Sequence, residues 1–182
     1  MKYAGIGSRT TPDDQRCRMA DIAAGLAKQG WTLRSGGAPG ADTAFEWGCD
    51  QVQGTKEIYL TGHMMGRNTC LASSVPYSSE QQAAALDLAS RLHPAWHKCS
   101  DYARALHARN GYQILGIDLN EPVEMVICWT PEGKVTGGTG QAMRLAQILK
   151  IPILNLAMLS DAAFMETYER LVVKPMMERT NA

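Results

Sequence analysis

The chain has no C-x-x-C pair, and its five cysteines, Cys17, Cys49, Cys70, Cys99 and Cys128, are scattered and odd in number. A disulfide framework of the small secreted kind is excluded, and the thiols read as reduced and mostly structural. Metal-ligand spacing is missing too. His63, His93, His97 and His107 are not paired with cysteines as zinc sites require. His93 and His97 stand at i and i+4, but Pro94 between them denies them one regular helical face. The sequence therefore predicts no metal and no cofactor.

An excess of one charge is also absent. Eighteen basic residues balance eighteen acidic ones. That removes the usual electrostatic argument for a dedicated DNA or RNA binder, while leaving room for a local basic patch. No apolar run reaches membrane-spanning length, and the opening "KYAGIGSR" holds no stretch of signal-peptide size. A soluble, cytoplasmic protein is the expectation. Neither G-x-G-x-x-G nor G-x-x-x-x-G-K-[ST] occurs, so a dinucleotide fingerprint and a P-loop magnesium site are both missing.

What the chain does have is alternation. Hydrophobic residues are 45% of the 182, enough for one domain with a real core. Residues 1–6 read as a buried strand ending at "GIGSR". Thr11 suits an N-cap and Pro12 the first position of a helix closed by Gly30. "WTLRS" is a second strand, "GADTAFEWGCDQV" a second helix from Ala41, and "KEIYLT" a third strand. "GHMMGRNTCLASSVPYS" reads as loop. Helices follow over "SEQQAAALDLASRLH", with Ser79 as cap, and "SDYARALHARNGYQILG". "VEMVICWT" is a nearly continuous apolar run, as in a strand covered on both faces. "QAMRLAQILK" is a helix, "IPILNL" a last strand, and the tail from Ser160 a helix with an irregular end. The pattern predicts a single α/β domain over 1–182, with a mostly parallel sheet and helices on both faces.

Two strand–glycine–helix units stand out: "LRSGGAPGADTAFEWG" and "ICWTPEGKVTGGTGQAMRLA". Each could be a tight turn, or a set of bare amides facing an anion at a helix start. In open α/β sheets, ligands sit outside the carboxyl ends of the strands, where strand order reverses. Both loops and "GIGSR" belong on that edge. Candidate ligand contacts there are Gly7, Ser8 and Arg9, then Ser35, Gly36, Gly37, Gly40, Ala41 and Asp42. From the second unit come Thr130, Gly137, Gly138, Thr139, Gly140 and Gln141. Arg109 joins them, although it and Asn110 could equally lie on a solvated helix face. Asp42 and Glu46 share a helical face and are the one carboxylate pair near a loop. Capping is the simplest role for Asp42, and Trp129 reads as core rather than as a base-stacking platform.

"SGGAPGAD", Ser35 to Asp42, resembles the signature of the DprA/Smf branch of the SLOG superfamily. "GGTGQAMRLA" is similar to the P-G-G-x-G-T-x-E-E loop of the Lonely guy enzymes, and "GIGSR" fits the start of the same domain. The resemblance spans Tyr3 to about Leu156. It implies a Rossmann-like fold of the small stand-alone phage and bacterial type, a nucleotide or nucleotide-derived ligand, and a homodimer or higher homo-oligomer. The Lonely guy enzymes cut an N-glycosidic bond with glutamates of the second loop. Met143 and Arg144 occupy those positions here, so such hydrolysis would have to use Asp42 or Glu46 instead. The alternative implied by the first signature is DprA-like binding of single-stranded nucleic acid, against which the neutral charge weighs.

Overall fold

The computed structural model describes residues 1–61 and 77–173. The expected loop around His63 and Cys70 and the irregular end of the tail lie mostly outside the described residues. Strands β1 (Lys2–Gly7), β2 (Thr32–Ser35), β3 (Lys56–Ile58), β4 (Met125–Trp129) and β5 (Ile153–Asn155) form one parallel sheet, ordered β3-β2-β1-β4-β5. Helices α1 (Asp13–Lys28), α2 (Ala41–Gln51), α3 (Ser79–Leu92), α4 (Asp101–Leu115), α5 (Gly137–Ile148) and α6 (Asp161–Tyr168) cover it. The predicted α/β architecture is the one observed.

Strand periodicity splits the core into two layers. Tyr3, Met125 and Ile127 face one side of the sheet and pack with Met19 and Leu26 of α1, Phe45 of α2 and Phe164 of α6. The alternate residues Ala4, Ile6, Val126 and Cys128 face the other side, against Ile114 of α4 and Ala142 and Leu145 of α5. Successive side chains of a strand point to opposite faces, so both layers come from the same short segments. A third cluster joins α3 to α4 through Ala85, Ala89, Ala108 and Tyr112, with Tyr59 from beyond β3.

Two caps differ from expectation by one residue. Helix α1 begins at Asp13 with Pro12 at the N-cap, and Thr11 instead donates its hydroxyl to the Ser8 carbonyl at 2.7 Å. That bond ties down the turn leaving β1. Ser78, not Ser79, caps α3, in a reciprocal box with Gln81.

Helices α1 and α2 approach closely at Gly48, where an added Cβ would lie 2.1 Å from the Ala20 carbonyl oxygen. Helix propensity alone favours Gly48→Ala by about 1 kcal/mol. The collision is with backbone, which cannot rotate away, and overpacking costs about 1–3 kcal/mol. The steric term should win. Gly48→Ala is expected to lower the urea midpoint at unchanged m-value, and a midpoint equal to or above the parent's would show that the helices can part without cost.

Candidate functional site

Strand order reverses between β1 and β4: the chain runs from β1 out through β2 and β3, then crosses to β4 and β5. A cavity of about 430 Å³ opens beyond the carboxyl ends of these two strands. Its volume suits a small ligand, for which about 300–1,000 Å³ is usual. Gly7, Ser8 and Arg9 contribute one wall, Thr130 and Pro131 another, and Gly137, Gly138 and Thr139 a third. Asp42 and the α4 residues Arg109, Asn110 and Gln113 form the floor and side.

The first glycine loop encloses a carboxylate of its own. The Ala38 amide donates to Asp42 Oδ2 at 3.3 Å, and the amides of Gly7 and Gly36 are also directed at this carboxylate. Helix α2 has Gly40 at its N-cap with φ +91°, so Asp42 lies inside the first turn rather than capping it. Asp42 is 4% exposed. Burial raises its pKa above the ordinary carboxylate value, and the Arg109 charge and the three amides offset this only in part. Arg109 Nη1 lies 3.9 Å from Asp42 Oδ2. The same nitrogen donates to the Gly36 carbonyl and, at 3.1 Å, to that of Tyr59. Burial lowers the guanidinium pKa, with Asp42 opposing. Arg109 Nε is buried without a hydrogen-bond partner among the described residues.

An added Cβ on Gly36 would stand 1.5 Å from Arg109 Nη1. The loop can therefore wrap the arginine only as glycine. Ser35 donates its hydroxyl to the Gly5 carbonyl at 2.6 Å, and the Ala41 amide donates to the Ser8 carbonyl at 3.2 Å. Ser35, Gly36, Gly37, Gly40 and Ala41 thus build the turn, while Asp42 reaches the cavity wall.

The second loop is different. Helix α5 begins at Gly137, so most of the glycines are its first turn. Gly140 N–H donates to the Thr136 carbonyl at 3.0 Å. The amides of Gly138 and Thr139 have no acceptor among the described residues. They are unpaired donors of a helix N-terminus, and that end carries positive partial charge. Asn110 Nδ2 holds the turn from outside by donating to the Gly138 carbonyl at 2.8 Å. Thr130 is fixed by Asn155, whose Nδ2 donates to its hydroxyl at 2.7 Å. Arg9 is exposed at the cavity edge and has no ion-pair partner among the described residues. Gln141 points away, donating to the Ala89 carbonyl at 3.0 Å. Gly140 packs against the Val135 backbone.

The structure separates the two carboxylates read as a pair. Glu46 is buried and its Oε1 lies 3.0 Å from Lys56 Nζ, which also binds Asp50. It does not line the cavity. Met143 belongs to the core, and Arg144 donates to Val135 and Gln141. Glu46→Gln should lower stability by about 1.5–3 kcal/mol, the usual worth of a bond to a charged group. It should leave the affinity of any ligand of this cavity within about threefold. A tenfold loss by titration calorimetry, roughly 1.4 kcal/mol, would put Glu46 at the ligand.

Sequence reasoning passed over Tyr102, Leu106 and Gln113, which line the cavity with Arg109 and Asn110. Their spacing is that of one helical stripe. Read as a stripe rather than residue by residue, it marks the face of α4 that turns towards the glycine loops.

No family model matches the sequence, and no curated protein matches it at a significant level. Solved structures do. DNA processing protein A from Streptococcus pneumoniae matches with TM-score 0.53 at 20% identity, over 92% of this chain and 56% of its own. The Helicobacter pylori protein of that name, described for its single-stranded DNA binding mode, matches with TM-score 0.50 at 18% identity, over 84% and 63%. The molybdenum cofactor carrier protein from Chlamydomonas reinhardtii matches with TM-score 0.43 at 12% identity, over 94% and 97%. The chain thus spans roughly three fifths of the DNA processing proteins it matches. At such identities the likeness is one of fold: the chain has the Rossmann-like α/β fold of DNA processing protein A, the fold that its SLOG-like motifs imply.

Proposed function

We propose that the chain binds a nucleotide or nucleotide-derived small molecule in the cavity between β1 and β4. The observation that carries this is the pair of unpaired amides, Gly138 and Thr139, at the N-terminus of α5 and on the cavity wall. A helix N-terminus with free N–H groups favours a phosphate. Arg9 supplies an exposed cation beside it, suited to forked contact with phosphate oxygens. Thr130, Asn110 and Asp42 offer polar contacts for a sugar.

Binding is a better reading than hydrolysis. The second loop has no carboxylate in its first turns, and Asp42 already receives backbone amides. Titration calorimetry with nucleoside mono-, di- and triphosphates tests the proposal. Binding of at least one, competed by inorganic phosphate, is the expected result. Binding of the free nucleosides with equal affinity would remove the phosphate from the site. Chromatography of the same mixtures should show no free base above background.

The fold shared with DNA processing protein A favours a second reading, single-stranded nucleic acid on the same edge. Its signature is affinity for a labelled oligonucleotide that falls steeply with salt. The balanced charge of the chain argues for the small ligand.

A further inference from the structure

Away from the cavity, the end of α3, the turn after it and the middle of α4 bring three metal-ligating side chains together. His93 is the C-cap of α3, Cys99 follows the short 3-10 turn Trp96–Lys98, and His107 lies on α4. One ring nitrogen of each histidine and Cys99 Sγ lie within 4.8 Å of one another. The two rings have centroids 4.4 Å apart. All three residues are half-buried, so an ion can enter.

We propose that His93, Cys99 and His107 form a binding site for one zinc-class divalent cation, with water as the fourth ligand. The distances suit it. With metal–nitrogen and metal–sulfur bonds of about 2.0 and 2.3 Å, tetrahedral geometry sets nitrogen and sulfur about 3.6 Å apart. Cys99 Sγ lies 3.7 Å from His93 Nδ1. The Ala95 amide donates to that Nδ1 at 3.2 Å, which selects the tautomer whose lone pair is on the ligating atom. Metal would replace this long bond. His107 Nδ1 is buried with no hydrogen-bond partner among the described residues, a lone pair or proton left unused there. The donor set, two imidazoles and a thiol, selects borderline-soft ions over calcium or magnesium.

Binding would release the Cys99 proton to solvent as the thiolate forms its bond to the metal. The Arg144 charge is felt at His107 and works against a bare cation; the thiolate offsets it. The consequence is structural. The ion would staple the α3–α4 connection to α4, the helix that carries Arg109 and Asn110 to the cavity.

Cobalt(II) tests the site because thiolate ligation gives a charge-transfer band and four-coordination gives strong visible bands. The full chain is titrated with cobalt, then with zinc. One equivalent should develop both features, and zinc should erase them. Cys17→Ser and His97→Gln should behave as the parent. Cys99→Ser should lose the charge-transfer band. Second-sphere changes cost about ten- to a hundredfold in metal affinity, so His93→Gln or His107→Gln should each cost at least about a hundredfold. Circular dichroism shows which variants are folded, and His93→Gln, at the end of its helix, keeps the test open should a more buried variant not fold. No bands in the folded parent, or a charge-transfer band that survives Cys99→Ser, would overturn the proposal.

Discussion

Arg109→Met should be the most damaging single change at the candidate site, costing about 3–5 kcal/mol of stability, the usual result of removing one partner from a buried pair. The guanidinium ties α4 to the first glycine loop through the Gly36 carbonyl, and it also reaches the Tyr59 carbonyl. Its loss leaves two acceptors unpaired and Asp42 without its cation. Asp42 already has a raised pKa through burial, and losing Arg109 would raise it further. A carboxyl whose folded pKa is raised contributes stability below its unfolded value, which is lost as pH rises through the folded pKa. The deficit of Arg109→Met should therefore be smallest in acid, around the ordinary carboxylate range, and grow towards neutrality. Asp42→Asn in the same chain should recover part of it. Urea melts of the two single variants and the double variant at several pH values measure this. A deficit under about 0.5 kcal/mol, the range of ordinary surface changes, would show that the loop stands without the arginine.

Gly138→Val is expected to cost at least about tenfold in nucleotide affinity, roughly 1.4 kcal/mol, with little change in melting. Its added Cβ would meet only Asn110 Nδ2, at 3.6 Å. That is ordinary contact, so the empty site tolerates the side chain while an approaching phosphate does not. Gly140 is the control. There a Cβ would stand 2.7 Å from the Val135 carbonyl carbon, and Gly140→Val should harm the fold itself. If Gly138→Val binds nucleotide as the parent does, the α5 N-terminus is not where the phosphate sits.

Strand β4 was legible because "VEMVICWT" is a nearly continuous apolar run between two prolines, while β2 and β3, TLRS and KEI, were legible chiefly from their place between helices and glycine turns. The glycine units were legible as units, but not in kind. A loop of bare amides suits an anion, and sequence does not say whose. Asp42 fills the first loop only because Arg109 arrives from a helix far along the chain and shields it. The second loop stays open because no acidic residue follows Gly137 within its first turn. Glu46 shared a face with Asp42 as its spacing implied, yet Lys56 at the start of β3 drew it elsewhere. The His93–Cys99–His107 cluster escaped notice for a similar reason. Its spacing runs across a helix end, a turn and a new helix, and no regular period describes that path.

The pairing of Tyr3 with Met125 has a consequence for the order in which the chain is made. Strand β1 leaves the ribosome before its partner β4, which follows more than a hundred residues later. Until then, β1 has β2 on one side and unsatisfied backbone on the other. The nascent half-sheet is a sticky edge of the kind that aggregates or recruits chaperones. Non-local parallel pairing is also slow to form. A fragment ending after β3 should accordingly precipitate or bind holdases rather than remain monomeric. The cavity between β1 and β4 forms only once β4 has joined the sheet.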